Sequence, residues 1–317
     1  MKKILLVVLV IIMIATMVAA CGQSETSISE STPASVATLA GPTGMGMIQM
    51  FKNKAYDVSL FTNPDQISPK IINGETDIAA IPSNLAAVIY NKTKGNIQVV
   101  AVNTMGVLYI LENGNTINSI EDLAGKTIYA TGQGATPEYV LNKILEANGL
   151  ENVTVQFMGA HADLANAMAA GEVTLALLPE PYVSTVLASN SDVQVKIDIN
   201  AEWKKIFGED AGIPMGVMVV SKEFAKDKAA MDKLIADCSA SVDYVVSDPS
   251  GASKDIAGTG IVASEAVAAS AIPRCGISFI TGDNCKSILT DYFDVMISSN
   301  PKSLGGPIPD DSFYYMP

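Results

Sequence analysis

The stretch Gly74-Glu75-Thr76-Asp77-Ile78-Ala79-Ala80-Ile81-Pro82 returns later in the chain as Gly171-Glu172-Val173-Thr174-Leu175-Ala176-Leu177-Leu178-Pro179. Each copy opens on a Gly-Glu turn after a short predicted helix. Each continues as an apolar strand and stops at proline, which cannot donate to a sheet ladder. Upstream, the strand and loop 39–46 is echoed by Thr127-Ile128-Tyr129-Ala130-Thr131-Gly132-Gln133-Gly134. Each half therefore reads strand, Gly-rich turn, helix, then helix, Gly-Glu turn, strand. Common β–α grammar is the competing account, but two features in the same order favour two related α/β lobes.

Strands are expected at 36–40, 56–61, 76–81 and 98–103, with helices at 47–53, 67–73 and 85–91. A short helix over 119–125, with Ser119 as its cap, leads into a strand at 126–130. The helix 137–147 is signposted by Thr136 as cap, Pro137 at the first helical position and Gly149 beyond its end. Further strands are expected at 193–199 and 217–220, and helices at 224–246, 263–271 and 285–299. Alternating strands and helices indicate an α/β fold with mostly parallel sheets. The C-terminal third has no Gly-loop repeat and reads as packing back on the first lobe. That gives 35–104 plus 217–317 as lobe 1 and 105–216 as lobe 2.

The length of 317 residues agrees with two domains. Charged residues make up 17 % and hydrophobic ones 49 %, which excludes a disordered chain. The net charge of −13 argues against a nucleic-acid partner. One histidine, His161, and scattered cysteines exclude the usual His/Cys zinc sites, so neither metal nor cofactor is expected. His161 reads as a helix-start or cleft-edge residue rather than a catalytic one.

Residues 1–20 read as a signal peptide: Met1-Lys2-Lys3, an apolar run, then Val18-Ala19-Ala20 before Cys21. Without Lys2 and Lys3 the balance is 18 basic against 33 acidic residues, a net −15. Residues 21–34 are polar and Ser/Thr-rich, a flexible tether. Cys275 and Cys285 bracket a segment with turn formers and are a candidate disulfide in an exported protein, free thiols being the alternative.

Open α/β sheets bind ligands beyond the carboxyl ends of their strands. The candidates there are Pro42, Thr43, Gly44, Met45, Ser83 and Asn84 in the first lobe. In the second they are Gln133, Gly134, Ala135, Thr136 and Glu180. Thr104, Met105 and Met215 lie at the predicted crossings between lobes. Neither glycine loop has the spacing of a P-loop or a dinucleotide loop. None of these turns carries Lys or Arg, so the ligand is expected to meet backbone, hydroxyl, amide and methionine groups.

The Ala-Ala-Cys21 site resembles a bacterial lipobox, which implies lipidation of Cys21. Together with Gly41-Pro42-Thr43-Gly44-Met45-Gly46, Asp77-Ile78-Ala79-Ala80-Ile81-Pro82-Ser83-Asn84, Ala130-Thr131-Gly132-Gln133-Gly134-Ala135-Thr136-Pro137 and Leu178-Pro179-Glu180-Pro181, it resembles substrate-binding lipoproteins of ABC importers. The group looks like the nitrate/sulfonate/taurine and thiamine-pyrimidine-precursor binding proteins. The resemblance implies a type II periplasmic-binding-protein fold, two α/β lobes with a hinge of two crossing strands. It also implies a small-molecule ligand, an ABC permease with its ATPase as partners, an extracytoplasmic monomer lipid-anchored to the membrane, and no enzymatic activity. The missing cationic anchor is a departure from sulfonate binders. A sensory or surface-interaction lipoprotein, and an enzyme of cofactor biosynthesis, are the alternative functions on the same fold.

Overall fold

The computed structural model describes residues 32–316. The signal segment, Cys21 and nearly all of the tether lie outside the described residues. Eleven strands are described: β1 Ala34–Leu39, β2 Tyr56–Phe61, β3 Ile78–Pro82, β4 Ile97–Met105, β5 Leu108–Asn113, β6 Thr127–Ala130, β7 Thr154–Phe157, β8 Leu175–Pro179, β9 Val193–Asp198, β10 Pro214–Ser221 and β11 Ile277–Thr281. They form a six-stranded sheet of order β11-β4-β10-β3-β1-β2 and a five-stranded sheet of order β7-β6-β8-β5-β9.

Five strands of the first sheet match the second in order, and β11 at the edge has no counterpart. Parallel β2-β1-β3 corresponds to parallel β7-β6-β8. In the first sheet β10 runs antiparallel between β3 and β4; in the second β5 runs antiparallel between β8 and β9. The repeated sequence thus lands on equivalent central strands, β3 and β8, and both are buried almost throughout. The chain passes from the first sheet to the second between Met105 and Leu108 and re-enters the first at Pro214. The two passages are joined to each other, the Gly106 N–H donating to the Ile213 carbonyl at 2.9 Å. The largest apolar cluster runs through both halves, from Val99 and Val217 to Ile110, Ile128 and Leu141.

The Gly-Glu turns owe their recurrence to one local geometry. Helix Pro64–Ile72 ends with Gly74 N–H donating to Ile71 O and Glu75 N–H to Lys70 O; helix His161–Ala169 ends with Gly171 N–H donating to Met168 O and Glu172 N–H to Ala167 O. This pattern satisfies the last helical carbonyls and needs a left-handed residue, where glycine avoids the Cβ clash. Gly74 and Gly171 have φ of 71° and 78°.

Several boundaries differ from expectation. The expected helix 47–53 is a four-residue α-turn, Pro42–Met45, followed by a 3-10 turn, Ile48–Lys52. The expected helix 224–246 is a 3-10 turn, Phe224–Lys226, and then a helix, Lys228–Ser247, restarted by the Asp227 carboxylate, which accepts from Ala230 N–H at 3.0 Å. Thr136 does not cap the helix Thr136–Ala147; it is the first helical residue, after Ala135. The candidate disulfide is absent: Cys275 and Cys285 are free and buried. Strand β11 lies between them, and an extended five-residue run spans roughly 17 Å, which holds its two ends apart. The thiols sit in different apolar clusters, Cys275 beside Met45 and Cys285 beside Leu289.

Gly74→Ala tests the turn. A Cβ there would meet nothing within 4 Å, so the cost is conformational alone. The substitution should destabilise by about 1–2 kcal/mol, read as a lower urea midpoint at an unchanged slope.

Candidate functional site

A cavity of about 610 Å³ opens where the carboxyl ends of five parallel strands meet. Thr62, Asn63 and Pro64 follow β2, and Pro82 and Asn84 lie at the end of β3. Thr131, Gly132 and Ala135 to Pro137 follow β6, Gly159 to Ala162 follow β7, and Tyr182 follows β8; Met215, near the start of β10, completes the wall. A second hollow of about 540 Å³ shares Thr62, Ala162 and Tyr182 with it and continues toward Ile261 and Val262. Gly132 makes the β6 turn possible: its φ is 77°, and a Cβ would come within 2.8 Å of Pro137 Cγ.

No Lys, Arg, Asp or Glu lines the larger cavity, and its titratable groups are His161 and Tyr182. Burial holds the imidazole neutral, pushing its pKa down from 6.5 to about 4. Burial likewise pushes the Tyr182 phenol up. His161 Nδ1 shares a short hydrogen bond with Thr131 Oγ1, and its ring lies 5.4 Å from that of Tyr182. Two cavity residues carry buried side-chain oxygens: Asn84 Oδ1, which has no partner, and Thr136 Oγ1, which lies beside the Tyr292 hydroxyl. A buried polar atom left unpaired costs roughly 1–3 kcal/mol, so Asn84 Oδ1 is poised to gain from a ligand.

Of the residues expected at the site, Asn84, Ala135, Thr136 and Met215 come together on the cavity wall. The others do not. Met45 is fully buried in an apolar cluster with Ile48 and Ile256, its sulfur near the Cys275 thiol. Pro42, Thr43 and Gly44 form the first α-turn, and the Thr43 hydroxyl is spent on the Leu39 carbonyl at 3.3 Å. Ser83 donates to the Pro214 carbonyl, fixing the start of β10 to the helix Ser83–Thr93. Thr104 and Met105 are sheet residues: Thr104 pairs with Gly216 and Ile277, and Met105 N–H donates to Gly276 O at 2.8 Å. Gln133 and Gly134 are exposed, and the Gly134 N–H is taken by the Glu138 carboxylate.

Glu180 is not free to hold a ligand. It is 1 % exposed and accepts from Arg274 Nε at 2.6 Å and from both N–H and Oγ of Ser184 at 3.1 Å. Arg274, the chain's one arginine, also donates to Ser184 Oγ at 2.9 Å. Desolvation pushes the Glu180 carboxyl up, and Arg274 pulls it down. This ion pair crosses from the end of β8 in one sheet to the segment before β11 in the other. Beside it, helix Tyr182–Ser189 packs on helix Glu265–Ala271.

The residues missed from sequence were Thr62 to Pro64, Pro82, Thr131, Pro137, Gly159 to Ala162 and Tyr182. For Thr131 and Tyr182 the signal was their place, after β6 and β8, whose ends already carried candidates; the residues after β2 and β7 follow the outer strands, whose ends carried none.

Two outcomes follow from these contacts. Arg274→Met leaves Glu180 buried without its partner and should cost about 3 kcal/mol, while Arg274→Met/Glu180→Met should regain most of that loss; guanidinium unfolding reads both. The unfolded chain takes up a proton at His161 below about pH 6.5, the folded chain only near 4. Stability is therefore intact above 6.5 and falls as pH drops toward 4, by no more than about 3 kcal/mol. His161→Gln should remove that part of the slope between pH 7 and 4.5.

A family model described as menaquinone biosynthesis matches residues 45–272. No curated protein sequence matches the chain significantly. Among solved structures, an ABC transporter protein from Parabacteroides distasonis superposes with TM-score 0.78 at 23 % identity, covering 90 % of this chain and 99 % of that one. The periplasmic aliphatic sulphonate binding protein SsuA from Escherichia coli gives 0.70 at 16 %, covering 90 % and 92 %. The ligand-binding component of an ABC-type import system from Staphylococcus aureus gives 0.68 at 15 %, covering 90 % and 97 %. These likenesses run over about nine-tenths of each chain and show a common fold. The chain belongs to the family described as menaquinone biosynthesis, and its fold is the type II periplasmic-binding fold of ABC-importer binding proteins.

Proposed function

We propose that the protein captures an uncharged small organic solute in the cleft and delivers it, unchanged, to an ABC permease and its ATPase. In this reading 35–104 plus 217–317 and 105–216 are the two lobes, and they close over the solute about the passages at Met105–Leu108 and at Pro214. Residues 1–20 export the chain, lipidated Cys21 anchors it outside the membrane, and the body works as a monomer.

The observation that carries the proposal is the wall of the large cavity. It has no charged side chain but offers Asn84 Oδ1 without a partner and the Thr136 hydroxyl, next to His161, Tyr182 and Met215. An anion there would lose its hydration without a cation to replace it. A neutral heteroaromatic or amide gains directional hydrogen bonds and contact with the rings and with methionine, a side chain that adapts to flat apolar surfaces. The family description favours a second reading, an enzyme of cofactor biosynthesis, with His161 and Thr131 as the polar pair in the cleft.

A thermal-shift screen of pyrimidines and nicotinamide-like amides against alkanesulfonates and nitrate tests the proposal. A ligand at about a hundred times its Kd adds ~2.7 kcal/mol, several degrees in Tm. Neutral compounds should give that shift; a shift confined to sulfonates or nitrate overturns the ligand class. Asn84→Ala and Thr136→Val should each weaken a neutral hit by about 1–3 kcal/mol, near-native Tm being the control for folding. Mass spectrometry after incubation separates the two readings, since a binding protein returns its solute intact.

A further inference from the structure

A third cavity shares no lining residue with the cleft, although Tyr292 of its wall reaches Thr136 of the cleft. It measures about 380 Å³ and lies between helix Ile199–Phe207 and helix Gly282–Ser299, against Ala211 and Gly212 at the approach to β10. Its walls are aromatic. Trp203 and Phe207 stand 4.3 Å apart between ring centres, and Tyr292 lies 6.1 Å from Trp203. Phe207 is 38 % exposed, one of three large apolar side chains left exposed among the described residues. Tyr292 is 2 % exposed, its hydroxyl turned toward Thr136.

The charges around this hollow are all of one sign. Asp210 and Asp291 line it, and neither joins an ion pair among the described residues. Helix Ile199–Phe207 ends at its edge, so the negative end of that helix dipole adds to the carboxylates. The neighbouring lysines do not line it: Lys205 is held by Glu202 at 2.7 Å, Lys286 by Asp311 at 2.8 Å, and Lys204 lies outside the wall. An aromatic face attracts a cation through its ring quadrupole, most strongly at tryptophan, and carboxylates at the rim reinforce that attraction.

We propose that this hollow is a second ligand site, for a small organic cation with an apolar body, such as an aralkyl ammonium. The volume suits a molecule of that size. The chemistry is the opposite of the cleft's, where nothing charged faces the ligand. The site therefore stands independently of the function proposed above.

Trp203 is the only tryptophan of the chain, so its emission reports directly on the hollow. Benzyltrimethylammonium, 2-phenylethanol and phenylacetate are titrated into the full-length protein. The ammonium compound should give a saturable change in Trp203 emission, with at least tenfold weaker binding of the alcohol and the acid. Asp210→Asn/Asp291→Asn should weaken the ammonium compound about tenfold at an unchanged Tm, because both carboxylates are on the exposed rim. Asn84→Ala, in the cleft, should leave the titration unaltered. The proposal is overturned if the ammonium compound gives no saturable change, if all three probes bind alike, or if the double asparagine variant binds as tightly as the parent.

Discussion

Strand β10 ties the two halves of the chain together. It arrives from the second half of the chain and inserts antiparallel between β3 and β4, hydrogen-bonded on both sides and buried along most of its length. A strand in the middle of a sheet cannot slip by one residue without turning its apolar face outward. Its start is fixed as well, by Ser83 on the Pro214 carbonyl and by the Gly106–Ile213 hydrogen bond to the outgoing passage. With both passages locked together, the parallel strands of each sheet must end along one seam. The cleft follows from that seam rather than from any single loop.

What the sequence disclosed was the part fixed by short-range chemistry. The Gly-Glu turns recur because one helix-ending geometry demands a left-handed residue at Gly74 and Gly171, and glycine advertises that demand in any sequence. Strand β2 was expected at its observed span, and β1, β4 and β9 to within two residues at either end. Asn84, Ala135, Thr136 and Met215 were found because they sit beside such punctuation. Met45 carries the same signature of position, yet the α-turn Pro42–Met45 aims the chain into the core instead of the cleft. Thr136 looked like a cap because a hydroxyl before proline usually is one; the turn from Gly132 to Ala135 brings the helix in one residue earlier.

The remainder was out of reach for a different reason. Glu180 was read as the one acidic group at the cleft because its neutralising partner lies far along the chain. Nothing near either residue announces that Arg274 will meet it. The same holds for His161 and Thr131, and for Cys275 and Cys285, where sequence proximity pointed to a bond that the intervening strand β11 prevents. Pairings between distant residues are settled by the sheet order, and the order became visible only when both sheets were in place.

The Glu180–Arg274 pair also explains how an acidic chain keeps a neutral cleft. A buried carboxylate at the end of β8 would place a full charge beside Tyr182 and repel any electron-rich ligand. Arg274 and Ser184 consume its oxygens, so the field reaching the cavity is that of a compact dipole, which falls off faster than that of a charge. Replacing such a pair by apolar side chains is often neutral or stabilising, so burial energy alone gives no reason to keep it here. Its geometry does give one. The guanidinium fork fixes the distance between the end of β8 and the segment before β11, and those two points belong to different sheets. An apolar replacement would tolerate sliding between them; two directional, charge-assisted bonds do not. The pair thus selects one arrangement of the two halves, and the uncharged cleft is the form the molecule takes in that arrangement.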